Sequence, residues 1–483
     1  MSGIFGTVLN NNCSNVLYYG TDYHSHLGTE FGGMAVHGAT LDRRIHAISQ
    51  SQFKSKFYTD YHQMKGNKGI GVISDRDEQP IYLDSKFGPF CIVTAGLIEN
   101  KNNLKQSLFG RGNSFSEMSK ESVNSTELVA KMISLGDNIE HGIEQVFKSI
   151  QGSCSLLLLN KDGIYAARDR FGYTPLVLGK NKNGWAVSME SSAFLNMNFD
   201  IKRYLKPGEI ILINEKGIEV KRQGDSKKQI CSFMWIYTGF PTSNYEDINV
   251  EMARERCGRN LAKKDKDIDI DFVAGVPDSG TAHAIGYTME SGKPYRRPLI
   301  KYTPGYGRSY TPPSQETRDI IATMKLIPNH KLIKGNKMVL CEDSIVRGTQ
   351  LKNYTINKLW DAGAEEVHVR AACPPLMFPC KYCLSTKSIN ELAARKAIKD
   401  LEGRDIEDIS EYLDPESEKY EKMIEWIRKD IDVTTLRYQT IEDMIKAIGL
   451  PREKLCLYCW NGTEYKEENQ KESPMEYSQQ TSN

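Results

Sequence analysis

The chain has 483 residues, of which 39% are hydrophobic and 26% are charged. Because that length exceeds what one hydrophobic core usually supports, we expect two globular domains. The 63 basic and 62 acidic residues nearly cancel, which gives no electrostatic reason to expect a nucleic-acid or membrane-surface partner. The sequence has neither an apolar stretch long enough to span a bilayer nor a signal-peptide pattern at its start, so we expect a cytoplasmic protein.

The first half of the chain alternates short apolar runs with turn residues. The expected strands are 152–159, 164–167, 184–187 and 209–214, and the expected helices are 125–135 and 139–150. This pattern is typical of an α+β domain in which stacked strands carry helices on the outside. The polar stretch 221–228 is the expected linker.

In the second half, single strands alternate with helices. The expected strands are 268–276, 338–341 and 367–372, and the expected helices are 250–264, 281–290 and 351–362. The order strand, loop, helix, strand predicts a parallel sheet. Residues 387–430 have the charge-rich composition of surface helices, and residues 466–483 have that of a disordered tail.

The loop after the strand 338–341 is the most informative segment. Glu342 and Asp343 place two carboxylates at the end of the strand, and Ser344, Gly348 and Thr349 follow where a helix begins. Backbone N–H groups and hydroxyls at a helix start suit a phosphate dianion. Because the carboxylates would repel that phosphate, they must face hydroxyls or a cation. The alternative is an acidic strand end followed by an ordinary helix cap.

The segment 342–349, which reads Glu-Asp-Ser-Ile-Val-Arg-Gly-Thr, resembles the phosphoribosyl pyrophosphate (PRPP) signature of type I phosphoribosyltransferases. More narrowly, it is similar to the signature of the glutamine PRPP amidotransferase family, which usually has Asp at the position of Glu342. The resemblance implies that Glu342 and Asp343 hold the ribose hydroxyls close to Mg²⁺. It also implies a 5′-phosphate site formed by Ser344, Arg347, Gly348 and Thr349.

Two further segments resemble the same family. The loop Pro277, Asp278, Ser279 and Gly280 is similar to its pyrophosphate loop, and the segment 309–318 is similar to its flexible loop that closes over PRPP. The resemblance implies that Mg²⁺ bridges pyrophosphate and ribose. Displacing pyrophosphate from the sugar requires positioning and cationic stabilisation rather than a side-chain nucleophile. The cations expected to neutralise pyrophosphate, each of which taken alone is more often a solvated surface charge, are Lys301, Arg308, Arg318 and Lys325.

Eleven cysteines in a reducing compartment are not expected to form a disulfide framework. Cys456 and Cys459 form a Cys-x-x-Cys pair, which alone is ambiguous between metal, redox and chance. Some members of the family carry a structural [4Fe–4S] cluster, and the resemblance assigns its ligands to these two residues with Cys231 and Cys380. Cys383, where the family usually has Gly, forms a second Cys-x-x-Cys with Cys380, so Zn²⁺ bound by four thiols and unligated thiols remain alternatives.

The resemblance also implies an N-terminal nucleophile (Ntn) hydrolase-like domain of four layers, αββα. In such enzymes Cys becomes the first residue after Met removal and attacks glutamine, with its own amine as base. Here Ser2 holds that position. The segment 72–77 replaces the family's Arg-Tyr-x-Thr, Ala95-Gly96 replaces its Asn-Gly, and 124–127 replaces an Asp-rich stretch. These departures predict that the glutaminase has been lost.

Taken together, the sequence predicts a glutamine amidotransferase type 2-like domain at 1–225 and a type I phosphoribosyltransferase domain at 226–465. The predicted reaction makes phosphoribosylamine, or a related ribosyl amine, from PRPP and ammonia and releases pyrophosphate. The ammonia is free or delivered by a partner, and the pathway is purine-like. The alternatives are a complete glutamine-dependent enzyme that works through Ser2 and a non-catalytic PRPP-binding regulator. A homo-oligomer is expected by analogy with the family.

Overall fold

The computed structural model describes residues 1–119, 122–266, 268–302, 324–383 and 388–464. Two antiparallel sheets form its first half. The seven-stranded sheet has the spatial order Asp200–Tyr204, Val177–Asn181, Gly184–Ser188, Ser2–Leu9, Lys68–Ser74, Phe31–His37 and Leu41–Ala47. The six-stranded sheet has the order Gly217–Arg222, Ile210–Asn214, Gly163–Ala167, Gly152–Asn160, Gly88–Ile98 and Ile81–Ser85. A two-stranded sheet is formed by Met118–Ser119 and Ser122–Val123.

Alternating side chains along the central strands explain why these sheets stack. In the strand Ser2–Leu9, Ile4 faces the second sheet, whereas Phe5 packs against outer helices. In the strand Gly152–Asn160, Leu157 faces the first sheet and Leu158 packs against helices on the other side. Because both faces of each sheet are apolar, the sandwich needs a helical layer on either side. The result is the expected αββα arrangement.

The helices of these outer layers are short. Those beside the seven-stranded sheet are Ser14–Asp22, Phe53–Gln63 and Ser192–Leu195, and those beside the six-stranded sheet are Lys101–Phe109, Ser125–Ser134 and Ile139–Ser149.

A parallel sheet of four strands forms the second half. Its spatial order is Phe272–Gly275, Lys337–Glu342, Glu366–Ala371 and Thr435–Tyr438. The strands Phe272–Gly275 and Lys337–Glu342 are mostly buried and apolar, as parallel strands usually are. The strand Glu366–Ala371 also buries His368 and Arg370, and the edge strand Thr435–Tyr438 exposes Arg437. All four carboxyl ends lie at one edge of the sheet, which is where parallel α/β folds place their ligand sites.

The helices of the second half cover this sheet. The longer ones are Val250–Lys263, Thr281–Ser291, Ala393–Glu402, Glu418–Ile431 and Ile441–Ile448, and the short ones are His330–Ile333, Ser410–Leu413 and Tyr458–Asn461. A further helical stretch contains Thr349–Leu351, the π-helical turn Lys352–Ile356 and Asn357–Asp361. The 3₁₀ turns are Ile389–Glu391 and Arg452–Lys454, and a second π-helical turn is Met234–Thr238.

The helices Val250–Lys263 and Thr281–Ser291 pack unusually close together because each has a glycine at the contact. A Cβ atom on Gly258 would lie 1.8 Å from the carbonyl oxygen of His283, and one on Gly286 would lie 1.9 Å from that of Glu255. Neither position can take a side chain, so this contact fixes the helix that leads into the sheet.

Buried polar contacts join the sandwich to the segment 240–246. The carboxylate of Glu190 is fully buried and contacts His26 Nε2 at 2.9 Å and Tyr245 OH at 2.7 Å. Arg168 donates a 2.8 Å hydrogen bond to Glu246. Small sheets complete the junction: Asn244–Tyr245 with Ile248–Asn249, and Ile230–Cys231 with Leu455–Cys456.

The expected elements are present, and three of their bounds differ by more than one residue. The strand expected at 268–276 is shorter, Phe272–Gly275. The first two residues of the expected linker 221–228 belong instead to the strand Gly217–Arg222, because Arg222 pairs with Ile210 of the neighbouring strand. The helix expected at 351–362 begins earlier, at Thr349. The tail predicted at 466–483 lies outside the described residues. Within the described ranges, no helix has both the length and the apolar character needed to cross a bilayer.

Candidate active site

Two adjacent carboxylates stand at the carboxyl end of the strand Lys337–Glu342. Glu342 and Asp343 are 9% and 3% exposed. Glu342 Oε1 accepts a 2.6 Å hydrogen bond from Ser279 Oγ and a 2.9 Å bond from the amide N–H of Asp343. The strand therefore delivers both acids to the sheet edge, and a residue from a separate loop orients the first.

Burial dominates the electrostatics of this pair. The pKa of Glu342 is raised well above its usual range by burial and by the neighbouring Asp343 charge. Burial also raises the pKa of Asp343, against opposing effects of the Ser344 hydroxyl and the Arg254 guanidinium. Two buried carboxylates this close together have lost the water that would solvate their charges. Donor hydroxyls or a cation can take the place of that water, so their binding is favoured at this site.

The turn that follows carries the residues expected to hold phosphate. Ser344 Oγ donates a 2.6 Å hydrogen bond to Asp343 Oδ1. Gly348 has φ +76°, a left-handed conformation that favours glycine, and the helix begins at the next residue, Thr349. Arg347 is exposed and pairs with Glu391 at 2.7 Å. The structure thus places the whole turn beside the carboxylates, while the Arg347 guanidinium pairs with a carboxylate outside the turn.

The loop that contains Pro277 and Asp278 lies beside the same edge. The amide N–H of Val276 donates to the carbonyl of Cys341 at 3.0 Å. A Cβ atom on Gly280 would lie 2.0 Å from that same carbonyl. The Pro277–Asp278 peptide bond is cis. The close approach of Gly280 to the Cys341 carbonyl holds Ser279 within reach of Glu342.

The four expected pyrophosphate cations differ in what the structure shows of them. Lys301 Nζ pairs with Asp278 Oδ2 at 2.7 Å, which places it at the loop 277–280. Lys325 lies beside it, because Leu299–Lys301 pairs with Leu326–Pro328 and the carbonyl of Lys325 accepts from the amide of Tyr302. Arg308 and Arg318 lie outside the described residues.

A buried arginine lies near the carboxylates, and no motif in the sequence identifies it. Arg254 is 5% exposed and donates to the carbonyl oxygens of Trp235, Tyr237 and Gly239 at 2.8–3.0 Å. Its positive charge opposes the upward pKa shift of Asp343. The signal was present in the sequence: a cation three positions before Cys257, on the apolar face of the helix Val250–Lys263.

The start of the chain lies in the middle of the seven-stranded sheet. Ser2 is 8% exposed, and its hydroxyl donates a 3.3 Å hydrogen bond to Ser74 Oγ. The amine of Met1 pairs with Asp75 at 2.8 Å. Ser74 and Asp75 belong to the segment that replaces the family's Arg-Tyr-x-Thr, so small and acidic side chains surround the nucleophile position.

The other altered positions have structural roles of their own. Ala95 is buried between the two sheets and offers no polar side chain. Asn124 Oδ1 accepts from the amides of Thr126 and Glu127 at 2.9 and 3.2 Å, and therefore caps the helix Ser125–Ser134. Ala95 thus offers no side-chain donor for an oxyanion, and Asn124 offers no acid for a substrate amine.

Five cysteines converge where the chain's end meets the junction of the two halves. The strand pair aligns Cys231 with Cys456. The Cys459 thiol is within hydrogen-bonding reach of Cys380, and the Cys383 thiol within reach of Cys231. Among the described residues, no three His, Cys, Asp or Glu side chains are arranged to hold a metal ion.

The first half of the chain is an amidotransferase-type sandwich, and the second half is a parallel sheet with two carboxylates at its carboxyl edge. This combination is that of a glycosyltransferase of the pentosyltransferase class with an amidotransferase-type domain. Comparison with known proteins agrees. A family model described as a glutamine amidotransferase domain matches residues 68–196. An amidophosphoribosyltransferase of Methanocaldococcus jannaschii is 30% identical over 96% of this chain and 97% of its own length. The chain belongs to the amidophosphoribosyltransferase family.

Other relatives extend this similarity to solved structures. An amidophosphoribosyltransferase of Bacillus subtilis is 28% identical over 95% of this chain and 93% of its own length. The structure of a glutamine PRPP amidotransferase from B. subtilis, complexed with ADP and GMP, is similar with a TM-score of 0.82, 28% identity and coverage of 97% of this chain and 98% of that one. The expected family and fold class are therefore confirmed.

Proposed function

We propose that this enzyme joins ammonia to the ribose of PRPP, forming phosphoribosylamine and releasing pyrophosphate. The observation that carries this proposal is the 2.6 Å contact between Ser279 and Glu342. It joins the two loops that resemble the pyrophosphate and ribose-phosphate loops of the family at one sheet edge. A single PRPP molecule needs both.

In this proposal each group has one task. Glu342 and Asp343 accept hydrogen bonds from the ribose hydroxyls, and the turn from Ser344 to Thr349 binds the 5′-phosphate through its amides and hydroxyls. The loop 277–280 binds pyrophosphate, with Lys301, Arg308, Arg318 and Lys325 balancing its charge. Mg²⁺, when bound, neutralises the charge that develops on the leaving pyrophosphate. Carboxylate oxygens are ligands that fit this hard cation.

Ammonia rather than glutamine is the proposed nitrogen source because the first site lacks its chemistry. Ser2 contacts a second serine, and its hydroxyl is far less ionised near neutral pH than a thiol. Losing a single oxyanion donor costs on the order of a hundredfold in rate. The second candidate is glutamine-dependent synthesis through Ser2, favoured by the matching amidotransferase domain and by the described activity of the B. subtilis enzyme.

One assay separates these proposals. Purified enzyme is incubated with PRPP and Mg²⁺, and pyrophosphate and glutamate are measured with ammonium or with glutamine. Ammonium-dependent pyrophosphate release without glutamate formation supports the ammonia proposal. Glutamate formation that Ser2→Ala abolishes establishes the second candidate instead. Pyrophosphate release that persists when both Glu342 and Asp343 are replaced by their uncharged amides refutes the proposed PRPP site.

We also propose a [4Fe–4S] cluster held by Cys231, Cys380, Cys456 and Cys459. The donor chemistry fits, since the residues supply thiols in the number that such a cluster takes. The amides of Tyr382 and Cys383 donate to Cys380 Sγ at 3.4 and 3.3 Å, an arrangement that stabilises a thiolate. The cluster would fasten the chain's end to the junction. Its test is the iron and acid-labile sulfide content of anaerobically purified protein.

Three broader proposals follow from the family. The division into domains at 1–225 and 226–465 is consistent with the last sandwich strand, which ends at Arg222. A role in purine biosynthesis is suggested by a similar solved structure, 27% identical with a TM-score of 0.82, described as the allosteric regulatory enzyme of that pathway. The third proposal is that the enzyme forms a homo-oligomer, which light scattering would test.

A further inference from the structure

Arg347 is the one residue of the turn 344–349 with a positively charged side chain. Its Nη2 donates a 2.7 Å hydrogen bond to Glu391 Oε2. Glu391 ends the 3₁₀ turn that leads into the helix Ala393–Glu402. We infer that Glu391 is a positioning residue, which holds the Arg347 guanidinium in the orientation that binds the 5′-phosphate of PRPP. This inference rests on the proposed function.

The segment around Glu391 contacts three successive residues of the turn. Ile345 is buried in the same hydrophobic cluster as Ala393. The amide of Ala393 donates a 2.8 Å hydrogen bond to the carbonyl of Val346. The side chain of Arg347 then pairs with Glu391. The start of this helix therefore supports the backbone of the turn, and Glu391 extends that support to the arginine side chain.

The pairing leaves part of the guanidinium available to a ligand. A guanidinium has five N–H groups in one plane. Within the described part of the chain, Arg347 donates through Nη2 to Glu391, so Nε and Nη1 remain as donors. A guanidinium that bonds a carboxylate through one nitrogen can bond a phosphate through the other two. Glu391 therefore need not leave when phosphate binds.

The value of this ion pair lies in binding rather than in folding. The side chains of Arg347 and Glu391 are 55% and 41% exposed, and ion pairs this exposed contribute little to stability. Without its partner, an arginine so exposed would sample several rotamers in water. A phosphate would then have to order the side chain as it binds, which lowers affinity.

Removing Glu391 also has an effect of the opposite sign. Its negative charge repels an anionic ligand, so loss of the charge strengthens binding, whereas loss of the acceptor oxygen releases the arginine and weakens binding. Glu391→Gln keeps an acceptor oxygen without the charge, and Glu391→Ala keeps neither. The difference between these two variants therefore isolates the positioning effect.

A double-mutant cycle on ligand binding tests the inference. Glu391→Gln, Glu391→Ala, Arg347→Ala and the double variant Glu391→Ala/Arg347→Ala are titrated calorimetrically with PRPP and Mg²⁺, with ribose 5-phosphate and with pyrophosphate. Asp405→Ala is the matched control, because Asp405 forms a 2.9 Å ion pair of similar exposure with Lys399, towards the other end of the helix Ala393–Glu402. Circular dichroism verifies that each variant is folded.

Positioning predicts that the Kd values for PRPP and ribose 5-phosphate are about three- to tenfold higher in Glu391→Ala than in Glu391→Gln, the range for loss of one hydrogen bond. The Kd for pyrophosphate should be the same in both, because the turn is proposed to bind the 5′-phosphate. When Arg347 is already alanine, Glu391→Ala should no longer weaken binding. Asp405→Ala should bind each ligand as the wild type does. In steady state, Glu391→Ala should have a higher KM for PRPP than Glu391→Gln and the same kcat.

Two results would overturn the inference alone. Glu391→Ala would bind PRPP as tightly as Glu391→Gln or more tightly, or it would weaken binding equally with and without Arg347. Neither result affects the proposed function while the wild type binds PRPP. A wild-type protein that binds neither PRPP nor ribose 5-phosphate refutes the proposed function, and the inference fails with it.

Discussion

Ser279 and Glu342 are 63 residues apart in the sequence, and a 2.6 Å hydrogen bond joins their side chains. The serine belongs to the loop after the first parallel strand, and the glutamate ends the neighbouring strand. This contact sets the direction of a carboxyl group whose pKa burial raises. It makes the two loops one site, so its removal should weaken PRPP binding.

Ser279→Ala is therefore expected to raise the KM for PRPP by about tenfold or more, because a hydrogen bond to a charged group contributes roughly 1.5–3 kcal/mol. The free energy of unfolding should fall as well, by about 1–3 kcal/mol, because the nearly buried Glu342 loses a hydrogen-bond partner. Steady-state pyrophosphate release at several PRPP concentrations measures the effect. Ser279→Thr keeps the hydroxyl and is expected to retain most of the affinity. Ser291→Ala, at the far end of the next helix, is the control. An unchanged KM in Ser279→Ala would show that the contact has no role in binding.

Glu342→Gln should weaken PRPP binding and make the folded protein more stable. The amide keeps an oxygen that can accept from Ser279 and from the backbone of Asp343, but it removes one of two buried negative charges. We expect PRPP binding to weaken at least about tenfold and the free energy of unfolding at neutral pH to rise by about 1 kcal/mol, since a raised carboxyl pKa marks a charge that the fold disfavours.

The pH dependence of this gain has a definite sign. A carboxyl whose pKa is raised on folding binds its proton more tightly in the folded protein, so wild-type stability falls as pH rises from about 4.3, the ordinary value, through the raised one. The advantage of Glu342→Gln should therefore be small near pH 4 and grow towards neutrality. Urea unfolding across this range measures it. A stability difference that shrinks as pH rises would contradict the burial argument.

The sequence predicted the site's chemistry better than its contacts. The segment 342–349 predicted the carboxylate pair and the phosphate turn because these residues are contiguous, so a motif records them. It did not predict Arg254, which approaches Asp343 from a helix almost ninety positions earlier. Nor did it predict that Cys231 lies beside Cys456, since that proximity depends on the pairing of Ile230–Cys231 with Leu455–Cys456. A strand bound moved for a similar reason: Arg222 is polar, yet it pairs with Ile210 of a buried neighbouring strand.

Ser2→Cys tests whether the nucleophile alone was lost from the first site. We expect no glutamate formation above the wild-type level, because Ala95 still provides no oxyanion donor and Ser74 and Asp75 still occupy the substrate-binding segment. Each missing donor costs on the order of a hundredfold or more. Ammonium-dependent pyrophosphate release from the same preparation verifies that the variant is folded. Glutamate formation at a rate comparable with that release would show that the surrounding residues remain competent.

Arg254 is expected to be the residue on which both stability and PRPP binding depend. Its guanidinium satisfies three backbone carbonyls of the turn around Met234–Thr238 and lies in the electrostatic field of Asp343. Arg254→Met removes the charge and leaves those carbonyls unsatisfied, so the free energy of unfolding should fall by about 3 kcal/mol. Arg254→Lys keeps the charge and should therefore lose little PRPP affinity. It should still lose stability, because one ammonium group cannot replace the planar guanidinium that donates to the backbone carbonyls.

The matched control is Arg259→Met, on the same helix, where the guanidinium is 42% exposed and faces Glu290 at 3.9 Å. Its loss should cost less than about 1 kcal/mol, as for most surface ion pairs. Urea unfolding gives the stabilities, and isothermal titration with PRPP and Mg²⁺ gives the affinities. If Arg254→Met bound PRPP as tightly as Arg259→Met, the arginine would be a structural cap for the turn and nothing more. If it also lost affinity while Arg254→Lys kept it, the positive charge next to Asp343 would be the cause, because the two variants share the loss of the carbonyl contacts.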